Sequence, residues 1–343
     1  MDAIWPILGI TIILGTMVDF VWTTLTASGA GPITRTISRR LWQMALRLAR
    51  RSNSSAFLTL VGPAILLATV CGWTLLLWLG WTLVFLADPM SVVNSQTGQP
   101  ADFWARVYFT GFTLSTLGVG DYRPGDGLSQ IATVGAAING LVQVTLSITY
   151  LLSVLSSVVQ QRSLAAQITS LGESAEGIAI CGWNDQGFDQ LTQRLSTFAP
   201  ELVTYSQRQL AYPVITYFFS SDWRTANGPA IAMLDDLLLL LARVVPEKRP
   251  PALLLRTLRR AIHLILDSLY LAKPGSESRQ PPLPDVGPLR QAGIPVIDDL
   301  DEGGVGESRD RRRQILELVE AQGWTWSDVT GAGRERRRWR RIE

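Results

Sequence analysis

Six consecutive residues carry the strongest chemical signal in the chain: Thr116-Leu117-Gly118-Val119-Gly120-Asp121. Glycine at 118 and 120 permits backbone angles that side chains forbid, so successive carbonyls can turn to one side. Four copies of such a segment can line a narrow tube, and those oxygens can replace the hydration shell of a monovalent cation. A bare Gly-x-Gly-Asp would carry little. This one sits between a short aromatic stretch and a long apolar one.

Such a run works only if membrane-spanning elements hold it. The chain of 343 residues is 47% hydrophobic and 17% charged, too apolar for an ordinary soluble domain. Three stretches reach the roughly 20 apolar residues a bilayer crossing needs: about 4–26, 61–86 and 131–159. The first begins Met1-Asp2 and is too long for a signal-peptide core, which predicts a retained span. Residues 27–60 carry Arg35, Arg39, Arg40, Arg47, Arg50 and Arg51 and no acid, whereas 87–102 carry Asp88 and Asp102 and no Lys or Arg. Positive loops stay in the cytoplasm, so the N-terminus is expected outside and the C-terminus inside.

Within the basic loop, Ile33, Ile37, Leu41, Met44 and Leu48 recur at helical spacing between arginines. An amphipathic helix on the membrane surface is expected, with packing on the cytoplasmic part as the alternative. Asp19, inside the first span, is expected to reach water or pair with an arginine, or else to serve gating or assembly. Trp73, Trp78 and Trp81 in the second span read as boundary anchors.

Residues 103–115 are too short to span and read as a re-entrant helix whose carboxyl end faces the carbonyl-lined run. Together with 116–121 and the flanking spans, this stretch resembles the pore unit of the tetrameric potassium-channel family, of bacterial ion-channel type. The resemblance covers about 61–159. It implies that Thr116, Leu117, Gly118, Val119, Gly120 and Asp121 form the selectivity filter. Tyr108, Phe109 and Phe112 would support it from the pore helix. The family usually has Tyr or Phe where this chain has Val119, and Phe112 falls where many relatives carry a carboxylate. Gly140 lies at the usual place of the gating hinge, with close helix packing as the alternative reading. The family register turns Leu141, Val144 and Ile148 toward the cavity. The polar stripe of Asn139, Gln143, Ser147, Tyr150, Ser153 and Ser157 would then bond to other helices.

After residue 160 no stretch is apolar enough to span. Residues 178–183 briefly resemble the first strand of a regulator-of-potassium-conductance domain, but no Gly-x-Gly-x-x-Gly follows. The remainder reads as helices, with stripes at Phe188–Phe198, Leu234–Val245 and Leu254–Leu269. Tyr212, Tyr217, Phe218, Phe219 and Trp223 are expected at the centre of that core, and His263 as a packing residue. Residues 273–295 read as a linker or wrapping segment. Residues 298–302 are acidic and 334–341 basic.

The expectation is an all-α integral membrane protein: three transmembrane helices, a re-entrant pore helix with a selectivity filter, and a mostly helical cytoplasmic C-terminal domain. Its parts are an N-terminal region 1–60, a pore domain 61–160 and a cytoplasmic domain 161–343. The expected function is passive K+ conduction across the plasma membrane by a homotetramer. A non-selective monovalent cation channel and a non-conducting membrane scaffold are the alternatives. Anionic lipids are expected partners of the basic loop 35–51 and of the tail 334–341, and nucleic acid is not. No cofactor is expected beyond the permeant ion. No nucleophile–base pair, metal cluster or phosphate loop indicates an enzyme.

Overall fold

The computed structural model describes residues 4–26, 29–52, 57–269, 280–297 and 302–331, with the backbone alone at 49–52 and 302–309. The basic tail 334–341, the acidic residues 298–301 and the first part of the 273–295 segment lie outside the described residues. The chain divides into two compact units, Met1–Gln43 with Pro63–Leu155 and Met44–Gly62 with Ser156–Glu343.

In chain order, the first part of the molecule contains α1 (Ile4–Leu25), α2 (Pro32–Ser52), α3 (Leu58–Phe85), β1 (Val92–Asn94), α4 (Phe103–Leu114), β2 (Tyr122–Pro124) and α5 (Gly127–Thr169). Helices α1, α3 and α5 are each long and apolar enough to cross a membrane. At 43 residues, α5 runs for roughly 65 Å, about twice the hydrocarbon thickness. Small residues set the crossing of α1 and α3: a Cβ at Gly9 would stand 2.6 Å from the Gly80 carbonyl.

Asp19 fixes the turn from α1 into α2. It is 1% exposed, and its partners among the described residues are neutral. Oδ1 accepts from the Ile33 amide at 2.8 Å, and Oδ2 from the Thr34 hydroxyl at 2.6 Å and the Trp73 indole at 3.1 Å. The N–H groups that open α2 thus hold this carboxylate, where a negative charge is favoured. A Cβ at Gly31 would fall on the Asp19 carboxylate, so only glycine lets the chain pass there.

The three tryptophans of α3 each bond another element of the unit. Trp73 bonds Asp19, Trp78 donates to the Val107 carbonyl of α4 at 2.8 Å, and Trp81 reaches Asn139 of α5 at 3.4 Å. Each indole N–H meets an acceptor inside the unit, as a half-buried indole requires. The polar stripe of α5 behaves alike: Gln143 and Ser147 are buried, and Gln143 donates to Thr74 of α3 at 2.9 Å.

The second unit is built around α9 (Asn227–Ala242), reached through α6 (Ala175–Cys181), α7 (Asp189–Ser196) and α8 (Phe198–Ala211). Residues 178–181, whose resemblance implies a strand, are instead helical in α6, which Ser174 caps at the Gly177 amide. Helix α9 is buried on every side, packed by α6, α10 (Ala252–Ser268), α12 (Glu302–Ala321) and α13 (Trp326–Val329). A largely apolar helix whose two acids are both paired can sit at the centre. The aromatic segment expected there is peripheral: two short 3-10 turns carry it, and of its five rings only Phe219 is buried. Phe219 stacks on Trp324 at 5.9 Å, whereas the leucine run of α9 is buried throughout. His263 is half-buried on α10.

Two charged pairs pin α12 to α9. Arg311 Nε lies 2.8 Å from Asp235, and the fully buried Arg312 bonds Asp236. Arg312 also stands 5.1 Å over the Trp326 ring. Burial pushes Asp236 up to about 7, against the downward pull of Arg312. The described end of the 273–295 segment wraps: the Val245 amide donates to the Pro295 carbonyl at 3.1 Å, and Ile294 is buried.

Candidate functional site

The site is built from α4 outward. Asp102 caps that helix by accepting from the Ala105 amide at 2.8 Å. Arg106, buried one turn on, donates to the carbonyls of Ala101, Phe85 and Pro89 at 3.1, 3.3 and 2.8 Å. It bonds the last carbonyl of α3 and two carbonyls of the following loop, and so joins the outer helix to α4. The sequence reading passed over Arg106; a single arginine in an aromatic, re-entrant stretch was the available signal.

Further along α4, Phe109 and Phe112 are buried and Tyr108 is 42% exposed. They form an edge-to-face chain, Phe85 to Phe109 at 5.2 Å, Phe109 to Phe112 at 5.3 Å and Phe112 to Tyr108 at 5.2 Å. Gly111 leaves room for Trp78, whose ring a Cβ there would meet at 3.0 Å. The structure thus brings the three expected supporting residues together, with Phe85 and Trp78 added.

The chain then leaves the helix in a tight exit. The Thr116 amide donates to Thr113 and the Leu117 amide to Phe112, at 3.0 and 2.8 Å. Thr116, Gly118 and Gly120 have φ of +56°, +61° and +89°, while Leu117 and Val119 stay out of that region. Alternating left- and right-handed residues turn successive peptide planes the same way, so a row of carbonyls can face one side. A Cβ on Gly118 or Gly120 would meet nothing within 4 Å, so backbone angle, not space, demands glycine. Thr116 takes the same left-handed angle with a β-branched side chain, a strained state costing about 1–3 kcal/mol. Residues 115–121 are exposed along their length in the single chain.

Behind the exit, β1 and β2 pair antiparallel, Val92 with Pro124 and Asn94 with Tyr122. This ribbon ties the segment after the run to the loop before α4. Its rim reaches the run itself: the Ser95 amide donates to the Asp121 carbonyl at 2.9 Å and the Ser95 hydroxyl to the Gly120 carbonyl at 2.6 Å.

Gly140 of α5 lies on the last residue of α4. A Cβ there would fall on the Leu114 carbonyl, so close packing accounts for this glycine directly. Leu141 is 59% exposed. Val144 and Ile148 border an apolar cavity of about 580 Å³ between α3, α4 and α5, shared with Trp78, Phe112 and Leu117.

Comparison with known proteins agrees with this geometry. The ion channel family pattern matches residues 72–157, which hold the second half of α3, all of α4, the run and most of α5. An uncharacterized membrane protein, YdjJ, of Bacillus subtilis (strain 168) is 33% identical over 323 residues, covering 93% of this chain and 94% of its own length. No solved structure matches the chain. With the pore elements assembled around an exposed, glycine-turned run and the likeness extending over nearly the full length of a bacterial membrane protein, the chain belongs to the two-helix ion channel family.

Proposed function

We propose that the chain is one subunit of a homotetrameric channel that conducts K+ passively, with Thr116–Asp121 as its filter. The observation that carries this reading is the alternation of φ at 116, 118 and 120 directly after the carboxyl end of α4. Facing carbonyls supply the ligands, and the partial negative charge of the helix end favours a cation beside them. The exposure of the run, and of Leu141 and Ile138 on α5, fits surfaces that other copies cover. K+ is the cargo, and the reading calls for no cofactor and no catalysis.

Val119 favours one second reading, a monovalent cation channel of weak selectivity. Its side chain is 42% exposed, and it gives no large ring to brace the run. On the view that a fixed diameter selects K+, such a filter admits more Na+.

The plasma membrane is the proposed location, with the N-terminus outside and the second unit in the cytoplasm, because the arginines of α2 favour the inner side. Ile33, Ile37, Met44 and Leu48 of α2 are exposed between Arg35, Arg39, Arg40 and Arg47, which supports docking on an anionic leaflet. Gly140, packed against the Leu114 carbonyl, is the proposed bend point of α5.

Reversal potentials of the purified protein in liposomes under mixed K+ and Na+ test the proposal. Selective K+ current that Gly118→Val abolishes while assembly persists is expected. Unchanged flux in that variant removes 116–121 as the conducting segment.

A further inference from the structure

We infer that Ser95 is a positioning residue that sets the carbonyl of Gly120, the last glycine of the run; this rests on the filter reading above. Gly120 has no side chain, its φ is +89°, and a Cβ built on it meets nothing within 4 Å. Gly120 therefore gives the Gly120–Asp121 peptide plane no side-chain anchor of its own within the chain. What holds it is a pair of bonds from one residue: the Ser95 hydroxyl to the Gly120 carbonyl at 2.6 Å, and the Ser95 amide to the Asp121 carbonyl at 2.9 Å.

Ser95 is itself rigidly placed. It follows β1 as the next rung of the ladder that pairs Asn94 with Tyr122. The Asn94 side chain accepts from the amides of Gln96 and Thr97, both at 3.0 Å, and the Asn94 amide and carbonyl bond Gln99 and Gly98. A turn closed on this many bonds presents the hydroxyl in one direction. A carbonyl oxygen has two lone pairs, so one bond from Ser95 leaves one for an ion. The brace thus comes from outside the run, from the loop between α3 and α4. Val119 offers no ring to hold the run from its own side chain.

The backbone bond survives any substitution at 95; the hydroxyl bond does not. The test uses the full chain in liposomes, comparing the K+-to-Na+ permeability ratio of wild type, Ser95→Ala and Ser95→Thr under identical ions. A second readout is the carbonyl carbon chemical shift of Gly120 in labelled protein. Losing one hydrogen bond predicts a ratio lowered roughly threefold to tenfold in Ser95→Ala, with the Gly120 shift displaced, and Ser95→Thr near wild type in both. Should Ser95→Ala fail to assemble, Ser95→Cys, a weak donor of similar size, is expected to fall between. A conducting Ser95→Ala, or Ser95→Cys in its place, with wild-type ratio and shift overturns the role of Ser95 alone. A wild type that passes neither K+ nor Na+ overturns the channel reading and this role with it.

Discussion

Asp19 in the first unit and Asp236 in the second are both nearly excluded from solvent, at 1% and 5% exposure, yet they are held by opposite means. Asp19 meets the opening amides of α2, a threonine hydroxyl and an indole, all neutral. Asp236 meets the buried guanidinium of Arg312, with Asp235 and Glu176 adding repulsion. Where the surroundings are apolar spans, a full counter-charge would be a second ion to desolvate, and helix-end dipoles stabilise the carboxylate without one. In the second unit two acids and two arginines bury together, which fixes the register of α12 on α9 more than it adds stability.

Four measurements break or sharpen this contrast. The largest effect is expected for Arg312→Met, which strands a buried carboxylate; the second unit should lose about 3–5 kcal/mol in chemical unfolding. The double variant Asp236→Leu/Arg312→Met should recover most of that loss, and a double variant no better than the single would show that the pair contributes more than register.

The second measurement is stability against pH. The folded value of Asp236, about 7, lies above its ordinary 3.8, so the folded unit holds a proton that unfolding releases between those values. Its contribution is full below that window and is lost as pH rises through about 7. Thermal unfolding of the second unit's tryptophan signal should therefore fall from pH 6 to pH 8, and Asp236→Asn should flatten the slope. A slope untouched by that change assigns the proton elsewhere.

Third, Asp19→Ala leaves the amides of Ile33 and Thr34 and the Trp73 indole without an acceptor, an expected loss of about 2 kcal/mol. Asp19→Asn keeps an acceptor and should lose about half as much. Equal losses would mean that charge, not capping, matters at this site. The smallest effect is expected for Trp81→Phe, which removes only the 3.4 Å bond to Asn139 and should cost no more than about 1 kcal/mol by thermal unfolding in detergent.

The spans, the re-entrant helix and the glycine-turned run were legible in the sequence because each is a local property: apolar length, helical period, glycine spacing. What escaped was decided between distant residues. Asp19 lies 54 positions from Trp73, and Asp235 lies 76 from Arg311, so neither pairing leaves a periodic trace. The partners of the α3 indoles were not legible because composition alone does not say which face of a span meets protein. The aromatic segment 212–223 was misplaced because ring count was taken for depth, when the unbroken leucines of α9 were the better sign of a centre. The ribbon of β1 and β2 was missed although Val92-Val93-Asn94 with Gly98 beyond it is a strand-and-turn signal. Thr116 in a left-handed conformation had no sequence signal at all.

The Asp19 cap also bears on how the chain enters a bilayer. A carboxylate within a nascent span opposes insertion. The amides that neutralise this one follow it by only 14 and 15 residues, so translation delivers them roughly 1–3 s later. The indole of α3 comes 54 residues behind. The hairpin of α1 and α2 can therefore shield its charge while α3 is still being synthesised, and biogenesis need not wait for the pore helices.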